Sequence, residues 1–233
     1  MILESYSGSV PSVFLGMISS KGFIRYVLTI FGSVSVVFFL LGTLIGQINL
    51  INWFNSIHTP FFNIVFSIIT LLGTAIIFIP FFIAALFHRI PIAFGLIANL
   101  LLQTIVVLLF KRILFPKAPR PINFMDPDTI HLIQGVDFHR LMSFPSGHTL
   151  TIFGLCVFVS LWTKNHWLTY LLLAIAFLVG ISRMYLIQHF PNDVAFGALF
   201  GTIIGAYSYQ LAENWNRSNR NNQKIKLPNF SRN

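Results

Sequence analysis

From Phe62 to Phe87 the chain carries no charged side chain, and five further runs are almost as bare: Val27–Ile45, Ile90–Phe110, Gly147–Thr163, Trp167–Ile181 and Val194–Leu211. A helix that crosses the hydrocarbon of a bilayer needs about 20 apolar residues, within a range of roughly 17–25. Each run meets that length or comes near it. Pro80, inside the second run, is tolerable in a membrane helix. Only 9% of the 233 residues are charged and 55% are hydrophobic, whereas a soluble domain carries about 25% charge. A soluble fold is excluded on that ground. The expected fold is an all-α, polytopic membrane protein with six transmembrane helices. One membrane domain over residues 1–213 is expected, followed by a basic, disordered cytoplasmic tail over 214–233.

The cations that remain fix an orientation. With the N-terminus inside, Lys21, Arg25, Arg89, Lys164, Arg217, Arg220, Lys224, Lys226 and Arg232 fall on the cytoplasmic side. Trp162, Trp167 and Trp215 then form an interfacial belt at the inner face and Trp53 marks the outer one. Both termini are expected in the cytoplasm. Six cations oppose this bias: Lys111, Arg112, Lys117, Arg120, Arg140 and Arg183. Charge set against the topological preference needs another reason to be there. The net charge of +9 is scattered among apolar runs, so no nucleic-acid partner is expected. The lone Cys156 lies in an apolar run and reads as a packing residue, with no disulfide and no thiolate metal site. Glu4, and the lack of a basic segment before an apolar one, argue against a cleavable signal peptide. No feature specifies an oligomeric state.

Three polar stretches at the edges of these runs hold the chemistry. In Ser182–Asp193, Arg183 offers a planar fork for phosphate oxygens. His189, when neutral, has a ring nitrogen able to attack phosphorus, and Asp193 can fix its tautomer. Pro191 favours a helix start that brings the carboxylate back towards His189. An ordinary interfacial ion pair of Arg183 with Asp193 is the alternative, but ionisable residues at membrane depth are functional by default. In Phe144–Thr149, Ser146 can cap a helix, the Ser146-Gly147 amides can cradle an anion, and His148 in the first turn can protonate a leaving oxygen. A plain capped helix start would look the same. In Lys111–Pro121 the cations could neutralise a transferring phosphoryl group or touch a phospholipid headgroup.

Taken together, order and content resemble the type-2 phosphatidic acid phosphatase superfamily. Its pattern is Lys-x6-Arg-Pro, then Pro-Ser-Gly-His, then Ser-Arg-x5-His-x3-Asp. The second and third motifs match as Pro145–His148 and Ser182–Asp193; the first departs, because Ile113 stands seven residues before Arg120. A two-residue insertion at Pro116-Lys117 would keep Lys111 as the equivalent cation, with Arg112 or Lys117 as substitutes. The resemblance implies a metal-free and cofactor-free hydrolysis through a phosphohistidine. In it His189 is the nucleophile, Asp193 its orienter and His148 the acid, while Lys111, Arg120, Arg183, Ser146 and Gly147 hold the phosphate.

The site is expected at the outer ends of helices 3 to 6, facing the periplasm from a bacterial inner membrane. That position favours a lipid phosphate or diphosphate as substrate: undecaprenyl diphosphate, phosphatidylglycerophosphate, phosphatidic acid or a lipid A phosphate. The loop Ile122–Phe144 is long enough to act as a headgroup-selecting lid. Its His131, Asp137 and His139 read as solvated rather than as a metal site. The alternatives are a non-hydrolytic lipid-phosphate carrier and a vanadate-dependent haloperoxidase. The first has no use for a paired His189, and six spans argue against the second.

Overall fold

The computed structural model describes residues 20–126, 128–133, 135 and 137–226. The expectations about a signal peptide at residues 1–19 and about residues 227–233 lie outside the described residues. Every regular element among the described residues is helical. Helix α1 (Ser20–Leu41) passes through a π-helical turn at Gly42–Gly46 into α2 (Gln47–Ser56). Then follow α3 (Pro60–Ile69), short 3-10 turns, α4 (Phe78–His88), α5 (Ile90–Leu108) with a π-helical end at Leu109–Leu114, α6 (Gly147–Thr163), α7 (His166–Tyr185) and α8 (Pro191–Lys226).

Each apolar run of the sequence becomes a helix or a pair of helices. Among the described residues four stretches are long and apolar enough to cross a membrane: Gly22–Ser56, Ile90–Leu114, His166–Tyr185 and Pro191–Asn219. Pro60–Gly73 with Ala75–His88 qualifies as a pair bent by 63°, and Gly147–Thr163 is a shorter apolar helix.

Three boundaries differ from the sequence reading. The segment after Ile45, outside the first expected span, is helical to Ser56, because Leu50, Ile51 and Phe54 are buried on the core. The second run, expected as one span, breaks at Gly73-Thr74. Pro80 sits in the first turn of α4, where its missing N–H costs nothing, while Gly73 is pressed against α6. The third difference concerns residues 214–226, which continue α8 instead of forming a disordered tail. Tyr209 and Ala212 are buried, Trp215 packs on Phe94 at 4.6 Å, and Gln210 donates to Asn214 at 2.9 Å. The helix leaves the core already formed, so each further residue costs only propagation.

Helix α6 forms the centre, buried along nearly its whole length, with α1, α5, α7 and α8 around it. Gly197, Gly201 and Gly205 bring α8 against the α6 backbone. A Cβ at these positions would lie 2.7 Å from the Ser146 carbonyl oxygen, and 2.5 Å from those of Leu150 and Gly154. Lipid tails are as apolar as the helices, so such close approach, rather than hydrophobic exclusion, holds the pair together. On the other flank Asn99 Nδ2 donates to the Gly154 carbonyl at 3.0 Å, and Gln103 donates to Asn99 Oδ1. This packing fixes where the first turn of α6 sits, and with it Ser146, Gly147 and His148.

Candidate active site

Four helix ends and one loop bring the three polar stretches together. After α7 the chain closes a tight turn in which the amides of Gln188 and His189 both donate to the Arg183 carbonyl, at 2.9 and 3.2 Å. Ile187 takes a φ of 58° to allow it, an unusual value for a β-branched residue that its buried side chain holds in place. The turn delivers His189, 1% exposed, beside Arg183, 6% exposed. Pro191 then opens α8, and Asp193 in its first turn folds back so that Oδ2 accepts from the Phe190 amide at 2.9 Å. The same oxygen lies 3.5 Å from His189 Nδ1. That is ion-pair range but long for a hydrogen bond, and among the described residues Nδ1 has no hydrogen-bond partner.

The remaining groups surround His189. Burial first, and then the charges of Lys111, Arg120 and Arg183 and the ring of His148, hold its imidazole well below the usual histidine range. His189 is therefore neutral at ordinary pH, the form in which Nε2 is a nucleophile. Arg120 reaches in from the loop. Its Nη1 donates to the carbonyl and Oε1 of Gln188 at 3.0 and 2.9 Å, and its Nε to the Leu141 carbonyl at 3.1 Å. Burial pushes its guanidinium down and the Asp193 charge opposes that. Arg183 Nη1 donates to Thr70 Oγ1 at 2.6 Å, leaving Nε unpaired. Ser146 caps α6: its Oγ lies 2.9 Å from Thr149 Oγ1, its amide donates to the Asp193 carbonyl at 3.0 Å, and Gly147 follows at the helix start. His148 lies against Gly73, whose Cβ, if present, would be 2.7 Å from that of His148.

The segment of the first motif carries a helical irregularity. At Leu109–Leu114 the π-helical turn shifts the register, so Lys111 is half-buried and becomes a charge neighbour of His189, whereas Arg112 and Lys117 are exposed. The structure thus brings together Lys111, Arg120, Ser146, Gly147, His148, Arg183, His189 and Asp193.

Two cavities flank the cluster. One of about 360 Å³ is lined by His148, Gly147 and Gly73 together with apolar residues of α5; the other, about 520 Å³, by Asp193, Ser143 and Phe190. Arg183 and His189 line neither.

The loop after Arg120 is pinned to this cluster and to α2. Gln188 Nε2 donates to the Asp137 carbonyl at 3.1 Å. Asn55 and the backbone of His131 exchange two hydrogen bonds, at 2.9 and 3.1 Å. The His131 ring is stacked on His58 with centroids 3.4 Å apart. Burial, and then His58, lower the His131 pKa. Among the described residues no three metal-ligating side chains converge.

Sequence reasoning passed over Thr70, Gly73, Ser143 and Gln188. Ser143 and Gln188 adjoin the motifs, so proximity was a usable signal. Thr70 and Gly73 lie in an apolar run and gave none.

The family model of the PAP2 superfamily matches residues 92–217, a stretch that contains every residue of this cluster. The chain belongs to the PAP2 superfamily. It is 28% identical over 173 residues to a lipid A 4'-phosphatase of Bacteroides thetaiotaomicron, an alignment spanning 70% of this chain and 75% of that one. Its fold is similar to that of Aquifex aeolicus LpxE, with a TM-score of 0.62 and 28% identity over 70% of this chain and 94% of the other. It also resembles, in fold, a PAP2 type phosphatidylglycerolphosphate phosphatase of Bacillus subtilis, with a TM-score of 0.55 and 21% identity over 85% and 98% of the two chains. PAP2 membership and the long apolar helices together make the protein a multi-pass membrane phosphatase acting on lipid phosphates. The carrier and haloperoxidase alternatives are not favoured.

Proposed function

We propose that this PAP2 protein hydrolyses a lipid phosphate or diphosphate without a metal, through a phosphohistidine on His189. One observation carries the proposal: a buried, neutral imidazole flanked on Nδ1 by a carboxylate and surrounded by three cations and a second imidazole. Lys111, Arg120 and Arg183, with the amides at the start of α6, hold the phosphate oxygens and supply the positive charge a metal would otherwise bring. The Nε2 lone pair forms a bond to phosphorus as the bond from phosphorus to the lipid oxygen breaks. His148 gives that oxygen its proton. Asp193 stabilises the cation left on His189. A water then attacks phosphorus, His148 takes its proton, and the N–P bond breaks to return the electron pair to Nε2 and release phosphate.

The charge bias and the tryptophan positions support six spans with both termini in the cytoplasm and the site on the periplasmic rim of the inner membrane. On that rim a lipid tail can stay in the bilayer while its headgroup meets His189. The relative of Bacteroides thetaiotaomicron bears the name of a lipid A phosphatase, which puts lipid A phosphates among the candidates beside undecaprenyl diphosphate, phosphatidylglycerophosphate and phosphatidic acid. The pinned loop is placed to choose among them.

The test is phosphate release by the purified full-length chain in detergent, across those four lipids, with EDTA present. Turnover that is indifferent to EDTA and competitively inhibited by orthovanadate is expected. An absolute need for added Mg²⁺, or indifference to vanadate, would remove the proposed route.

A further inference from the structure

We infer that Ser143 is a positioning residue for the Asp193–His189 pair, an inference that rests on His189 being the nucleophile. Ser143 is 1% exposed, and its Oγ donates to Asp193 Oδ2. Oδ2 is also the oxygen that accepts from the Phe190 amide at 2.9 Å and lies 3.5 Å from His189 Nδ1. A carboxylate oxygen has two in-plane lone pairs, and Ser143 and Phe190 engage both, so in the substrate-free site Nδ1 stands next to an oxygen already committed elsewhere. Neither donor is free to wander. The Phe190 amide is fixed by the start of α8, and the Ser143 amide donates to the Ala118 carbonyl at 3.1 Å, which ties the hydroxyl to the segment leading into Arg120.

Ser143 thus does two things. It sets the rotamer of Asp193, and it holds Oδ2 at a distance from which a modest approach makes a full hydrogen bond. Phosphorylation of Nε2 puts a positive charge on the ring. A charge-assisted bond to Nδ1–H then outcompetes the neutral serine hydroxyl, so the pair tightens in the charged state. Loss of Ser143 removes the restraint that keeps the carboxylate poised. It does not touch the cations that bind phosphate, so the chemical step should suffer and anion affinity should not.

The experiment compares Ser143→Ala and Ser143→Thr with the unaltered full-length chain in detergent, on one lipid monophosphate. Ser143→Ala is expected to lower kcat about 10–100-fold, the usual cost of losing a residue that orients a working group. KM and the vanadate inhibition constant should stay within about threefold. Ser143→Thr keeps the hydroxyl and should recover most of kcat. In proton NMR of the vanadate complex, the downfield imidazole N–H signal of the unaltered protein and of Ser143→Thr should shift or broaden in Ser143→Ala. An unchanged kcat in Ser143→Ala would overturn the inference. Equal losses in kcat and vanadate affinity in both variants would too, for that pattern means the Ser143–Ala118 turn merely holds the fold. His189→Ala is run alongside: if it still turns over, the nucleophile assignment fails, whatever Ser143 does.

Discussion

Lys111 and Lys117 flank a stretch of only five residues, yet one is drawn towards the catalytic cluster and the other faces away from it. In sequence Lys111 is the equivalent cation with Arg112 or Lys117 as substitutes, and the π-helical turn at Leu109–Leu114 that carries Lys111 leaves no mark in composition. Lys111→Ala is therefore expected to lower kcat/KM by about 100-fold, the scale for losing one preorganised group that stabilises transition-state charge. Lys117→Ala should stay within about threefold. Side-by-side kinetics on one lipid phosphate make the check, and the reverse order would refute the assignment. His148, Arg183, His189 and Asp193 were legible from residue type and spacing alone, since few chains place so many ionisable groups at membrane depth. Thr70 was not: its part depends on Arg183 reaching it across the bundle.

At the scale of helices, the apolar runs foretold where elements lie and misjudged where they end. Hydrophobic patterning reports burial in lipid, and a break such as Gly73-Thr74 stays just as apolar as an unbroken helix. The helix pairing that seats the site was equally hidden, because it depends on glycines four residues apart. Gly201→Ala would push a methyl to 2.5 Å from the Leu150 carbonyl oxygen, a backbone atom that cannot swing aside. A loss of roughly 1–3 kcal/mol is expected from overpacking of this kind, seen as a lower thermal midpoint in detergent. Gly32→Ala in α1 meets no atom within 4 Å and should be neutral or slightly stabilising, as alanine is the better helix former. Equal midpoints for the two variants would mean that α8 does not depend on close backbone contact.

On the scale of the whole molecule, three of the six cations that the sequence sets against the expected orientation belong to the candidate site. Ionisable residues at membrane depth are functional by default, and here Lys111, Arg120 and Arg183 gather around one imidazole. The bundle holds that imidazole out of water, α6 and α8 bring their helix starts to it, and Gln188 beside it donates to the Asp137 carbonyl of the loop. The central claim is that His189 carries the phosphoryl group. It is tested most directly by rapid acid-free quenching of the protein with a lipid labelled in its phosphate. An acid-labile, alkali-stable label on the unaltered chain, mapped to His189 and missing from His189→Ala, is predicted. A label that persists in His189→Ala, or one that maps to another residue, would contradict the account.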